Sequence, residues 1–387
     1  MNKLGADLIQ AGTPVPCDCY DGQGHLVLKS GLTVESQKQV EYLLECGLFS
    51  VRVPGQECEE RLEVERAASP FQLLGEYYNR LEQILMHSRQ IAHGADDDRS
   101  ILREQTAPFS AQILQLAMDI QSVCQTDADA TLGSIQLHSS GSRYSISHAL
   151  SRAVVCELLA TRRGIPQKNR RQLIAAALTC DLSMLQLQDD LTCQEGPLRT
   201  EQQKAIADHP HETAKLLAAM GTVDPGWINA VIQHHEFPNG KGYPAGLEGD
   251  VISPWARILK LADTYTAMIS PRAYRKALLS KSVLRQLFLR RGGEFDEDLA
   301  VFFVKELGVF PPGLFVRLQS GELAIVIRRR ANPRAPLVKA IVGPRGAALA
   351  PPIARETDNR EYEIVDVLER DASVSIDQPS LWGYHRE

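Results

Sequence analysis

Histidine and aspartate residues recur through the middle of this 387-residue chain at spacings that suit a metal site. His234 and His235 lie in the stretch QHHEFPNGKGYP, which runs from a helical pattern into a turn rich in Gly, Asn and Pro. Asp181 and His209 precede this stretch, and Asp263 follows it in LADTYTAM. Intervals of one helical hairpin are expected when ligands project inward from the facing helices of a bundle. Mixed imidazole and carboxylate ligands suit Fe, Mn or Zn, so the sequence predicts a metal site.

Each of these residues, taken singly, also has a purely structural explanation. Asp181 can cap a helix, His209 can be a polar residue beside Pro210, which is expected to begin a helix, and Asp263 can be a buried hydrogen-bond acceptor. However, Asp181 follows the apolar run IAAALTC, where a bare carboxylate is costly unless it is capped, paired or coordinating. The joint occurrence of the residues favours the metal site.

Length and composition restrict the class of protein. The chain is long enough for about two to four compact units. Its composition, 44% hydrophobic and 23% charged, is that of a globular protein, and a net charge of -6 argues against DNA binding driven by phosphate contacts. Because the sequence has no long apolar run and no secretory signal core, we expect no membrane span and a cytoplasmic location. The eight cysteines lack paired CxxC spacing and are expected to be reduced thiols.

The sequence predicts different local structure in its N-terminal third. Short β-like runs alternate with turns, and VPCDCYDGQGHLVLKSG predicts a hairpin around Asp21-Gly22, a pair that tolerates the positive φ of a tight turn. Residues 1–66 are therefore expected to form a small α+β module. Residues 67–130 follow as a helical connecting region, in which Ser69 is the predicted cap and Pro70 the first residue of the first helix.

The remainder of the chain is predicted to be first helical and then β. Residues 131–310 show nearly continuous helical patterns, with terminating glycines at Gly164, Gly221 and Gly308. Residues 311–370 alternate β-branched residues around a Ser-Gly turn, and residues 371–387 resemble a loose tail. The predicted fold class is mainly α: a helical bundle core with a small N-terminal α+β module and a small C-terminal antiparallel β module.

One combination of motifs resembles a known family. The run HHE, then Asn-Gly and GYP, with Asp263 and SPRAYRKAL downstream, resembles the HD-GYP family of bacterial cyclic di-GMP phosphodiesterases. The resemblance runs from His148 to Phe310. It implies a helical HD-type fold holding divalent metal ions, usually iron or manganese, that activate a hydroxide for in-line attack on a phosphodiester.

The resemblance also implies a role for individual residues of this chain. Asp181 would bridge two metal ions, and Asp263 would be a later carboxylate ligand. The imidazole ligands implied are His148, His209, His234 and His235. Cys180 stands where the family has its signature histidine and is counted as a candidate ligand, since a thiolate also binds iron or zinc.

The nucleotide side of the site is implied by the same resemblance. Tyr243, Arg272 and Arg275 would face cyclic di-GMP or a related nucleotide, because the guanidinium fork of arginine can hold phosphate oxygens bidentately. A solvated helix start is the alternative explanation for both arginines. The GYP loop, defined here as residues 237–247, must turn sharply, and this leaves Tyr243 either exposed to a ligand or protein partner, which we favour, or folded onto the core.

Departures from the family pattern concentrate at the catalytic centre. Cys180 replaces the signature histidine, Met184 replaces a lysine, Asn239 replaces an aspartate and Tyr144 stands where metal-rich members carry glutamate. The favoured hypothesis is a degenerate, weak or inactive phosphodiesterase that acts by binding a nucleotide or a partner, with as few as one metal position filled. The alternative is an active metal-dependent cyclic di-GMP phosphodiesterase. The sequence does not specify an oligomeric state.

Overall fold

The structure is a computed structural model. The residues that it describes are 2–3, 11–15, 19–20, 26–28, 32–34, 36–40, 49–50, 68–94, 99–137, 143–222, 224–272, 277–369 and 376–384. They fall into two compact units, one comprising Met1–Ala68 with Gly383–Glu387 and the other Ser69–Trp382.

The smaller unit contains a four-stranded antiparallel sheet. Its strands are β1 (Asn2–Lys3), β2 (Cys19–Tyr20), β3 (Leu26–Leu28) and β4 (Phe49–Ser50), in the order β1-β4-β2-β3. Strands β2 and β3 pair as the predicted hairpin requires, whereas Asp21 and Gly22 themselves lie outside the described residues. The apolar core of this unit includes Val15, Cys19, Val34 and Val40.

The larger unit is mainly helical. Its helices are α1 (Pro70–Gly94), α2 (Arg99–Thr126), α3 (Ala128–Leu137), α4 (Tyr144–Arg162), α5 (Gln167–Thr179), α6 (Leu185–Cys193), α7 (Thr200–Ala219), α8 (Pro225–Gln233), α9 (Pro254–Ile269), α10 (Ser280–Leu289), α11 (Glu297–Leu307) and α12 (Gln378–Trp382). None of these described helices is both long and apolar enough to cross a membrane. The mainly helical fold class is confirmed.

Local sequence determines where several of these helices begin and end. At α1 the Ser69 hydroxyl accepts from the backbone N–H of Gln72 at 3.3 Å, and the Gln72 side chain accepts in return from the N–H of Ser69 at 3.1 Å, so the predicted cap is confirmed. Asp224 caps α8 through the N–H of Trp227, with Pro225 in the first turn. The three predicted terminators, Gly164, Gly221 and Gly308, all have φ between 70° and 80°.

Five helices pack so that the chemistry-bearing residues converge. Helix α4 packs against α5 and α9, and α8 packs against α5 and α7. The facing surface of α5 is the small-residue run Ala175, Ala176 and Ala177, all fully buried, which lets its neighbours approach closely. The indole N–H of Trp227 on α8 donates to the Thr179 hydroxyl at 2.9 Å and ties α8 to the C-terminal end of α5.

Five antiparallel strands follow the helices. They are β5 (Phe315–Leu318), β6 (Leu323–Arg328), β7 (Leu337–Val342), β8 (Ala348–Glu356) and β9 (Ile364–Leu368), in the order β8-β7-β6-β5-β9. The predicted C-terminal β module is confirmed. Strand β8 was not predicted because it contains Pro351 and Pro352, and its edge position explains how a strand tolerates them.

The C-terminal segment differs from the predicted loose tail. Residues Gln378–Trp382 form α12, whose Leu381 and Trp382 are buried. The Trp382 ring lies 5.1 Å from the ring of Phe71 on α1, and a Cβ at Gly133 on α3 would come within 2.5 Å of it. Burial of one large aromatic side chain therefore orders this segment against the bundle.

Candidate metal and nucleotide site

The predicted ligand residues meet where α4, α7 and α9 face the ends of α5 and α8. Ligand atoms of His209, His234 and His235 lie within 4.8 Å of one another, and the same holds for His148, Asp181 and Asp263. A third such group consists of Cys180, Asp181 and His234. The structure thus brings together every predicted metal ligand, while Arg275 lies outside the described residues.

Pro210 orients the imidazole of His209. It lies inside α7 and does not begin the helix, so that expectation was wrong. Proline has no N–H, and the carbonyl of Ile206, four residues earlier, therefore lacks its helical donor. Nδ1 of His209 lies 2.6 Å from this carbonyl oxygen. With its proton on Nδ1, His209 presents the Nε2 lone pair to the site.

The end of α8 orients His234 in the same way. The last carbonyls of a helix have no helical donor, and Nδ1 of His234 lies 2.6 Å from the Val231 oxygen. Nε2 of His234 and Nε2 of His209 are then both acceptors, yet the two atoms lie only 3.2 Å apart. Oδ1 of Asp181 lies 4.0 Å from Nε2 of His234 and 3.5 Å from Nε2 of His209. Two facing lone pairs repel each other, and a cation shared between them would relieve the repulsion. This donor set fits a divalent metal ion.

Arg152 of α4 is a site residue that the sequence analysis missed. Its side chain is fully buried, and Nη1 donates to Oδ2 of Asp181 at 2.7 Å and to Oδ1 of Asp263 at 2.8 Å. Burial alone would raise the pKa of Asp181, but the charge of Arg152 outweighs it and holds that pKa below its usual range. The unusual signal was an arginine within the apolar run of α4, four residues after His148.

His148 is paired with the second carboxylate. Its Nε2 lies 3.0 Å from Oδ1 of Asp263, and its Nδ1 has no hydrogen-bond partner among the described residues. Burial lowers the pKa of His148, so the neutral ring donates Nε2–H to Asp263. On its other side His148 stacks on Tyr144, whose hydroxyl accepts from Arg272 at 2.6 Å. Burial raises the pKa of Tyr144 to about 12.

His235 connects the histidine cluster to the GYP loop. Its ring stacks on Tyr243, with centroids 4.6 Å apart, and its Nδ1 lies 3.5 Å from Nζ of Lys260, a second residue that the sequence analysis missed. Burial, with the charge of Lys260, lowers the pKa of His235. Tyr243 is half-buried and so falls between the exposed ring that the sequence favoured and the alternative of a core plug. The ring forms one wall of the site.

The GYP loop is held by a buried carboxylate. The Glu236 carboxylate accepts from the N–H of Ala245 at 2.7 Å and from the N–H of Leu247 at 2.9 Å. The chain from Glu236 to Leu247 must therefore fold back on the buried Glu236 side chain. A Cβ at Gly242 would stand 2.4 Å from the Phe237 nitrogen, so this position admits glycine alone. Because Glu236 directly follows His235, the same short segment both carries an imidazole and fixes the loop.

Cys180 and Met184, two of the four departures from the HD-GYP pattern, have different surroundings. Cys180 is fully buried, and burial raises the pKa of its thiol well above the usual value. Met184 lines a groove of about 600 Å³ together with His209, Asp208 and Lys204. This volume is typical of small-molecule sites, at about 300–1,000 Å³.

Comparison with known proteins identifies the class. Residues 136–299 match the HD domain family. This match and the names of the relatives below confirm the recognition based on HHE and GYP, whereas the degeneracy of the site stays a prediction. A solved structure, Bd1817, a HDG"Y"P protein from Bdellovibrio bacteriovorus, is similar with a TM-score of 0.50 at 15% identity, over 79% of this chain and 98% of that one. At this identity the similarity supports the fold alone.

Similar curated proteins have related names. Cyclic di-GMP phosphodiesterase PA4108 from Pseudomonas aeruginosa is 27% identical over 223 residues, or 58% of this chain and 53% of that one. The response regulator RpfG from Xanthomonas campestris, a cyclic di-GMP phosphodiesterase, is 31% identical over 37% of this chain and 38% of its own. The 3'3'-cGAMP-specific phosphodiesterase 3 from Vibrio cholerae is 31% identical over 44% of this chain and 37% of its own length. The chain spans about half the length of these relatives or less.

Proposed function

We propose that this protein acts in bacterial cyclic dinucleotide signalling by binding cyclic di-GMP or a related cyclic dinucleotide beside the His209–His234 pair. The same site holds a divalent ion, iron or manganese, and hydrolysis of the phosphodiester is weak or absent. The observation that carries the proposal is the pair of Nε2 acceptors 3.2 Å apart, each with its Nδ1 held by a helix carbonyl, with the ring of Tyr243 centred 6.4 Å from that of His209.

Three protein groups support the retained ion. His209 and His234 would bind it through Nε2, and Asp181 would bind it through Oδ1, the carboxylate oxygen not bonded to Arg152. A bound ion would supply Lewis acidity and a water of lowered pKa. His235, whose Nδ1 faces Lys260, is the fourth candidate ligand, and Cys180, His148 and Asp263 complete the set implied by the family resemblance.

The walls of the site suit a nucleotide. Tyr243 offers an aromatic face on which a base could stack, and stacking on aromatic side chains contributes about 1–3 kcal/mol per base in nucleic-acid complexes. The adjoining groove is lined by apolar side chains such as Met184, and its charged lining residues are Lys204, Glu201, Asp208 and Glu212. Arg272, held by Tyr144, is a candidate phosphate contact together with Arg275. The names of the curated relatives, which act on cyclic di-GMP or cGAMP, support the choice of ligand class.

The substituted positions argue for weak hydrolysis. Where the family resemblance implies an imidazole ligand, Cys180 is a buried thiol whose raised pKa disfavours the thiolate that binds metal. Where it implies a lysine, Met184 provides no charge for the phosphate. Both changes remove groups that would act on the reacting phosphodiester.

Binding and turnover are tested separately. Isothermal titration of the Mn²⁺-loaded protein with cyclic di-GMP and with 3'3'-cGAMP should show binding of at least one of them, and no binding of either would refute the proposal. Hydrolysis is then measured for the wild type and for Cys180→His with Met184→Lys. Turnover that rises only in the double variant supports a degenerate site, whereas equal turnover before and after supports the active enzyme. Cys193→His with Met184→Lys is the control, because Cys193 is an exposed cysteine.

A further inference from the structure

Arg152 occupies a place where the fold gathers metal ligands. Oxygen atoms of Asp181 and Asp263 and a ring nitrogen of His148 lie within 4.8 Å of one another. Nη1 of Arg152 donates to Oδ2 of Asp181 and to Oδ1 of Asp263, so it stands between the two carboxylates. Its Nε donates to the Ala177 carbonyl at 2.9 Å, which fixes the orientation of the guanidinium.

Charge balance explains why this arrangement is stable. Two mostly buried carboxylates repel each other and require a compensating cation, which in a metal site is the ion itself. Arginine cannot be deprotonated in proteins, so Arg152 supplies one permanent positive charge. His148 points its Nε2 at Asp263 as a donor and therefore offers no lone pair in this direction. The residues around Arg152 thus do not fit a metal ion, in contrast to the His209–His234 pair.

We propose that the guanidinium of Arg152 replaces a second metal ion, so that the site admits one divalent ion and excludes another between Asp181 and Asp263. The inference concerns the same site as the proposed function and rests on it for the retained ion. It assigns Arg152 as a positioning residue that holds both carboxylates in place before any ion binds. It also gives a physical reason for a single ion that is independent of Cys180.

Metal counting tests the inference without reference to turnover. The full chain is dialysed against Mn²⁺, freed of unbound ion by gel filtration and measured by inductively coupled plasma mass spectrometry. The wild type should retain about one ion per chain, and Arg152→Met, which keeps an unbranched side chain without the charge, should gain about one more. Arg170→Met is the matched control, since Arg170 is also a mostly buried arginine paired with a carboxylate, that of Glu157, and should show no gain.

The decisive quantity is the gain of ion in Arg152→Met relative to the wild type. No gain in a variant with native circular dichroism would overturn the inference. If Arg152→Met does not fold, the double variant His209→Ala with His234→Ala decides, because it retains Arg152. That variant should retain no ion, and an ion that persists there but is lost when Asp263→Asn is added would lie beside Arg152, against the inference. A wild type without any ion would contradict the ion of the proposed function, while a gain in Arg152→Met would still support the role of Arg152.

Discussion

The ring of Tyr243 stacks on the imidazole of His235, with 16° between the two planes. Since the ring is half-buried, we expect Tyr243→Ala to lower the free energy of unfolding by about 1–2 kcal/mol. A stacked aromatic pair contributes about 0.5–1.5 kcal/mol beyond its buried area, whereas truncation of a fully buried aromatic costs about 3–5 kcal/mol. Urea denaturation measures the change, and Tyr243→Phe, which keeps the ring, is the control. A loss above about 3 kcal/mol would indicate a core plug.

Glu236 gives a second prediction, about the GYP loop. The variant Glu236→Gln keeps the shape of the side chain but turns one acceptor into an NH₂ group that faces a backbone N–H of Ala245 or Leu247. A buried donor left without an acceptor costs about 1–3 kcal/mol, and the loss should be local. Hydrogen exchange should show faster exchange at Ala245 and Leu247 and unchanged exchange in α5. Glu248→Gln, an exposed position in the same region, is the control. Unchanged exchange at both amides would contradict the anchoring role.

The helical architecture was predictable from the sequence because it depends on local patterns, and ligand intervals of one helical hairpin predicted that the ligands lie on facing helices. Helical periodicity and caps such as Ser69 define the helices, and His234 and His235 stand at a recognisable helix end. What the sequence could not give is which side chains meet across helices. In the sequence, Arg152 only interrupts an apolar pattern. The packing of α4 against α5 and α9 places it between two carboxylates.

Other errors came from residues whose local preference is overruled by their surroundings. A proline within a helix is favoured in the first turn, but Pro210 lies in the interior of α7. The Ile206 carbonyl that it leaves without a donor accepts instead from Nδ1 of His209. Similarly, Pro351 and Pro352 argued against a strand at β8, but an edge strand of a sheet tolerates proline. The domain boundaries at residues 66, 130, 310 and 370 remain predictions.

Pro210 leads to a third prediction, in which metal affinity falls while stability does not. Pro210→Ala restores a backbone N–H that can bond the Ile206 carbonyl and compete with Nδ1 of His209. The helix should become no less stable, because alanine is favoured over proline in a helix interior by about 3 kcal/mol. Loss of a partner that orients a metal-bound histidine typically weakens metal binding about 10–100-fold. We therefore expect Mn²⁺ affinity to fall about tenfold while the melting temperature does not fall. Lys215→Ala, at an exposed position of α7, is the control, and equal affinities would show that Pro210 does not orient His209.

The last prediction concerns acid stability without metal. Burial lowers the pKa of His234 to about 3. An unfolded histidine has a pKa of about 6.5, so between these values the unfolded chain binds a proton at His234 that the folded chain does not. Stability from this group is therefore fully present above about pH 6.5 and is lost as the pH falls towards 3. In His234→Gln, with a chelator present, the free energy of unfolding should depend on pH less steeply by about 1.4 kcal/mol per pH unit in this window.

Urea denaturation at pH 6, 5 and 4 measures the slope, with His87→Gln, at an exposed position of α1, as control. A slope equal to that of the wild type would mean that His234 already carries a proton in the folded protein, and that the cation between the two Nε2 atoms is a proton when metal is removed.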